Sequence, residues 1–168
     1  VNSEREALLG FLGQQRLGIR TSVRGLTDEQ AAATPAASAL SLSGILKHIA
    51  RTERRWVVVN IAGRPLPGLW PIEDWAADFR AGPGESLASL LKFYAETARL
   101  TEEIVAGVGD LGQPCANPDS SESVHWVLFH LIEETARHAG HADIIREALD
   151  GARAGPLLRD AEAAAQPG

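Results

Sequence analysis

Apolar residues recur along most of this chain at the three- and four-residue intervals of an amphipathic helix, with polar residues on the opposite faces. The first such segment runs from Ser3 to Val23, where Leu8, Leu9, Phe11, Leu12, Ile19 and Val23 form a broad stripe. After Gly25, Thr27-Asp28-Glu29-Gln30 has the spacing of a capping box and predicts a short helical turn. Thr34 to Ala39 reads as a loop around Pro35. A second helix is predicted over Ser43 to Ala62, burying Ile45, Leu46, Ile49, Trp56, Val57 and Ile61, and Gly63-Arg64-Pro65 stops it.

Pro65 to Gly84 is irregular and rich in proline, yet carries Trp70 and Trp75. It reads as a crossover or lid packed on the helices, with a short helix around Asp74 to Arg80. A third helix is predicted from Glu85 to Val105, and Gly107 to Ser121 is a second long loop. The last long helix spans Ser123 to Leu149, with Gly151 as its terminator. The tail after Gly155 is expected to fray. No run alternates with period two long enough to make a strand. The expectation is an all-α fold: one antiparallel four-helix bundle over residues 1–155, a long crossover between its second and third helices, and a tail over 156–168.

Composition narrows the partners. The chain has 168 residues, 45% of them apolar, which suffices for a sizeable core without disulfide or metal. Its formal net charge of −6 argues against a nucleic-acid partner held through phosphates. No apolar run approaches a membrane span, and the N-terminal residues lack a signal-peptide core. The single cysteine, Cys115, excludes an internal disulfide and suits a reducing cytoplasm. The Ala- and Gly-rich composition suits a high-GC bacterial genome.

The histidines supply the candidate chemistry. His48 lies in the second predicted helix; His125, His130, His138 and His141 lie in or at the start of the fourth. Glu134 and His138 are four apart, and His138 and His141 three apart, so all three share one helix face, which His130 extends by a turn. A metal needs at least three ligands converging from more than one direction. Two can come from this strip, and His48 is the histidine able to supply a third across the bundle. Imidazole with carboxylate suits Zn, Ni, Fe or Co, zinc being the first expectation.

At these residues the chain resembles a known family. Leu46-Lys47-His48-Ile49-Ala50-Arg51-Thr52-Glu53-Arg54-Arg55-Trp56, together with Glu133-Glu134-Thr135-Ala136-Arg137-His138-Ala139-Gly140-His141-Ala142-Asp143, is similar to the mini-circle branch of the DinB-like superfamily. The resemblance extends to about Gly151. It implies a four-helix bundle, often a homodimer, with a three-ligand metal site. One ligand is a histidine on the second helix, matching His48; the others lie four apart on the last helix. Both are histidines in much of the superfamily, whereas the mycothiol-dependent maleylpyruvate isomerases have glutamate first. Here the pair reads Glu134 and His138, the isomerase-like form. His141 is free to replace Glu134, to join as a fourth ligand, or to face the substrate as an acid/base group.

Glu53 is expected to be structural, paired with Arg137 or Arg146 or else solvated. If the charged strip of Arg137, Asp143, Arg146 and Glu147 lines a cleft, Arg137 and Arg146 would suit a carboxylate-bearing thiol cofactor. The tryptophans are core or loop anchors, one or two of them walling the pocket mouth. Cys115 has no activating neighbour nearby and reads as incidental. The function expected is a metal-dependent S-transferase or isomerase acting on a small-molecule thiol, mycothiol by the resemblance, and an electrophile. The alternatives are a metal-dependent hydrolase and a non-catalytic metal-binding helical dimer.

Overall fold

The structure, a computed structural model, describes residues 3–165. It is all-helical, and the predicted elements are present. Helix α1 (Glu4–Ser22) starts at a capping box in which Ser3 and Glu6 bond reciprocally. The Thr27/Gln30 box starts α2 (Asp28–Ala32) as the spacing predicts. Ser41 caps α3 (Leu42–Arg55), which continues as a π-helical segment, Trp56–Ile61. That wider turn sits in the β-branched run Val57-Val58-Val59 and leaves the Ala62 amide bonded to the Val57 carbonyl. In the crossover, Asp74 caps the short α4 (Trp75–Asp78). Helix α5 (Leu87–Ala106) follows Ser86, and α6 (Val124–Asp150) ends at Gly151, whose φ of 77° is the left-handed geometry of a helix terminator.

Two apolar clusters fix how these helices run. One joins the end of α1 (Ile19, Val23) to the starts of α3 (Ile45, Ile49) and α5 (Leu90, Tyr94) and the later half of α6 (Ala142, Ile145). The other joins the start of α1 (Leu8, Leu12) to Val57 and Ile61, the end of α5 (Val105) and the start of α6 (Val127, Leu131). Helices α1 and α6 therefore point one way, and α3 and α5 the other. The all-α bundle with a long crossover between its second and third helices is as expected, and the crossover's length sets these directions by returning the chain to the end where α3 began before α5 starts.

Three expectations change. The tail does not fray from Gly155: Ala154–Ala165 form α7, which packs against α1. Phe11, placed in the apolar stripe, is 57% exposed, while Arg16 is buried on that helix. Arg16 is also the partner of Glu53, in place of Arg137 or Arg146: its Nη2 lies 2.6 Å from Glu53 Oε1, which also accepts the Thr101 hydroxyl.

The crossover is tied to α3 by that helix's basic residues. Lys47 Nζ donates to Glu85 at 2.7 Å and to the Arg80 carbonyl at 2.9 Å, and Arg55 Nε donates to the Leu69 carbonyl. Gly44 completes the fit, because a Cβ there would overlap the Phe79 carbonyl. Gly44→Ala is expected to push α4 off α3 at a cost of about 1–3 kcal/mol, the range for overpacking. Urea unfolding of the variant checks this, and an unchanged midpoint would refute it.

Candidate metal centre

His48 points inward because its neighbours Ile45, Leu46, Ile49 and Ala50 all face the core, and it is itself buried. Across from it, α6 presents Glu134 and His138 one turn apart. His48 Nε2 lies 3.2 Å from Glu134 Oε1, and His138 Nε2 lies 3.3 Å from the same oxygen. One ligand atom from each residue can be chosen so that all lie within 4.8 Å of one another. Metal–ligand bonds of about 2.0–2.1 Å at tetrahedral angles put neighbouring ligand atoms roughly 3.3 Å apart. The two distances to Glu134 match that edge.

Protonation also suits a cation. Burial works to raise the Glu134 carboxyl, but the His48 hydrogen bond and the charges of His138 and His48 outweigh it and hold the group low. Burial pushes the His138 imidazole down, and His48 acts in the same direction against the pull of Glu134. The carboxylate is therefore ionised and His138 held neutral at neutral pH, which are the forms that donate lone pairs to a metal. His138 Nδ1 is buried with no hydrogen-bond partner. These donors fit a divalent ion.

The structure brings together His48, Glu134 and His138. His141 stands outside: it is exposed, its ring edge-on to His138 with centroids 5.4 Å apart. His141→Ala is accordingly expected to leave metal stoichiometry unchanged, checked by titration against a chelating indicator. Arg137 lies at the exposed edge, bonded to Glu133 and 3.4 Å from the outer oxygen of Glu134. Arg146 is not at the site. It is buried, its guanidinium bonded to Asp150 and to the carbonyls of Ser22 and Arg24, so it ties α6 to the end of α1 and has no cleft to serve. Burial raises the Cys115 thiol, consistent with an inert side chain.

One residue the sequence reading missed is Asp78, at the end of α4. Its Oδ2 stands 3.7 Å from His48 Nδ1, facing the nitrogen that a metal-bound His48 leaves free. Arg51 Nη1 donates to Asp78 Oδ1 at 2.9 Å and Arg55 Nη2 at 2.8 Å, while Arg55 Nη1 reaches Oδ2. Burial would raise this carboxyl, but the Arg55 and His48 contacts and the charges of Arg55 and Arg51 drive it well below the usual range. Phe79 stacks on the His48 ring at 3.9 Å. The crossover thus holds His48 from behind, and the available signal was the pair Arg51 and Arg55, one and two turns beyond His48 on the same helix. His48 Nδ1 makes no hydrogen bond at that distance; a carboxylate that closes on it when a metal binds would fix its tautomer, a contact whose loss costs about 10–100-fold in metal affinity. Asp78→Asn is expected to fall in that range by competitive metal titration, and wild-type affinity in the variant would exclude the role.

A cavity of about 380 Å³ opens beside the cluster, lined by His48 and Glu134 together with Trp56, Trp70, Ile72 and Trp75. A larger groove of about 910 Å³ runs between α1, α5 and α7, but the ligand cluster is not on it, so volume alone does not mark the site. No described helix is long and apolar enough to cross a membrane.

A crystal structure of a conserved protein from Enterococcus faecalis superposes with a TM-score of 0.72 at 16% identity, covering 90% of this chain and 100% of that one, which shows the shared fold. No curated protein matches in sequence. The family model described as mycothiol-S-transferase matches residues 7–151, a span that holds all three candidate ligands. By that match, and in line with the DinB-like resemblance, the chain belongs to the mycothiol S-transferase family.

Proposed function

We propose that the protein is a metal-dependent S-transferase that joins mycothiol to an electrophile. The observation that carries this reading is the convergence of His48, Glu134 and His138, the first two of which line an open cavity, in a chain of this family. His48 Nε2, His138 Nε2 and Glu134 Oε1 would hold the ion, zinc being the first expectation for this donor set. A divalent ion there supplies Lewis acidity that lowers the pKa of a thiol, favouring the nucleophilic thiolate at neutral pH.

The chain's own residues do the rest. Asp78 and Phe79 hold the His48 ring in place, and Arg137 bears on the outer oxygen of Glu134. Three protein donors leave room in a tetrahedral shell for one more ligand, the arrangement of a catalytic site. A homodimer in the cytoplasm belongs to the same reading.

Metal-replete protein is expected to conjugate mycothiol to a fluorogenic electrophile, with activity lost on chelation and restored by added metal. Conjugation that survives both chelation and His48→Ala would contradict the proposal.

A further inference from the structure

The cavity that opens on His48 and Glu134 is walled by tryptophans, with Arg55 and the His130 ring, which stacks on Trp126, also among its lining. Trp70 and Trp75 come from the crossover and Trp56 from the π-helical segment; Trp75 is 63% and Trp70 47% exposed, so broad indole surface faces solvent there. Exposed aromatic surface around a concave site is a mark of ligand binding. The one guanidinium on the wall, Arg55, is already bonded to Asp78 and the Leu69 carbonyl.

The wall then discriminates among electrophiles. Each guanidinium nitrogen of Arg55 already donates to Asp78 or to the Leu69 carbonyl, so an entering carboxylate meets no free guanidinium to pair with. Burying an unpaired carboxylate against indole is costly. Polar atoms suited to a neutral ligand are present. Asn60 lines the cavity with its Oδ1 taken by the Asn117 amide, which leaves the Nδ2 donor uncommitted, and Thr52 adds a hydroxyl.

We infer that this cavity is the electrophile subsite and that it takes a neutral, flat, carbonyl-bearing ring, an enone or quinone, in preference to a carboxylate. The inference rests on the proposed transferase reading. In the reaction the sulfur lone pair forms the new carbon–sulfur bond, and the electron pair of the ring double bond shifts toward the carbonyl. The adjacent carbon then takes up a proton, replacing the one the thiol gave up. The step is an addition, so no oxidant is consumed and no group departs.

A matched pair of probes, titrated without thiol so that neither is conjugated, tests the subsite apart from catalysis. Chromone and chromone-2-carboxylate share one ring system and differ by a charge. Titration calorimetry on the metal-free protein is expected to show chromone binding more than about tenfold tighter than the carboxylate. Trp75→Ala should weaken chromone roughly 2–10-fold, the equivalent of one aromatic contact, with metal stoichiometry unchanged. Equal binding of the two probes, no chromone binding, or insensitivity to Trp75→Ala would overturn the inference. If chromone binds as described but no metal is taken up, the transferase reading falls and the neutral-ring subsite stands. If metal uptake and conjugation hold while chromone fails, the reverse follows.

Discussion

Truncating His138 to alanine is expected to abolish one-to-one binding of a divalent ion while leaving the helices folded. His138 is one of three converging donors, and its loss leaves only Glu134 and His48 facing each other. Two protein ligands fall short of the three usual for a catalytic zinc site. The drop in affinity should therefore exceed the roughly 10–100-fold that removing an outer-shell partner costs. The ring lies at the edge of the core and bonds no backbone group, so far-ultraviolet circular dichroism should change little. Competition with a chelating indicator measures the loss. An affinity within a few-fold of wild type would mean that the cluster is only a hydrogen-bonded group.

The second large effect lies deeper in the bundle and concerns stability. Glu53 is 1% exposed and sits between the two apolar clusters, where Arg16 Nε and Nη2 and the Thr101 hydroxyl all donate to it. Removing one partner of a buried ion pair strands the other charge in a low-dielectric interior, at a cost of about 3–5 kcal/mol. Glu53→Ala should lose that much in urea unfolding. The double variant Glu53→Leu with Arg16→Leu should recover most of the loss, because a well-packed apolar pair can replace a buried ionic one. A single variant destabilised by less than about 1 kcal/mol would show that water reaches Arg16.

Much of this molecule is legible in its sequence, because helices announce themselves locally. Ser3, Thr27, Ser41, Ser86 and Ser123 each stand where a helix starts, Gly151 where one ends, and periodic apolar residues mark what lies between. The ligand strip is equally local, since Glu134 and His138 are one turn apart on one helix. What escapes is long-range. Nothing near Asp78 says that α4 folds back onto Arg51, Arg55 and His48, because that contact depends on the path of the crossover. The helix directions turn on the same path. Arg16 resembles any solvated arginine until Glu53 is brought across the bundle to meet it. Arg146 sits beside an exposed charged strip, yet packing rotates it into the end of α1. His141 shares the strip of Glu134 and His138, and only the depth of the bundle separates a buried donor from an exposed ring.

Anomalous diffraction at the metal edge, from crystals of metal-replete protein, tests the central claim most directly. The account predicts one strong peak per chain, about 2.0–2.2 Å from His48 Nε2, His138 Nε2 and Glu134 Oε1, with a fourth position facing the tryptophan-walled cavity. A peak elsewhere, or none at this cluster under saturating metal, would contradict it.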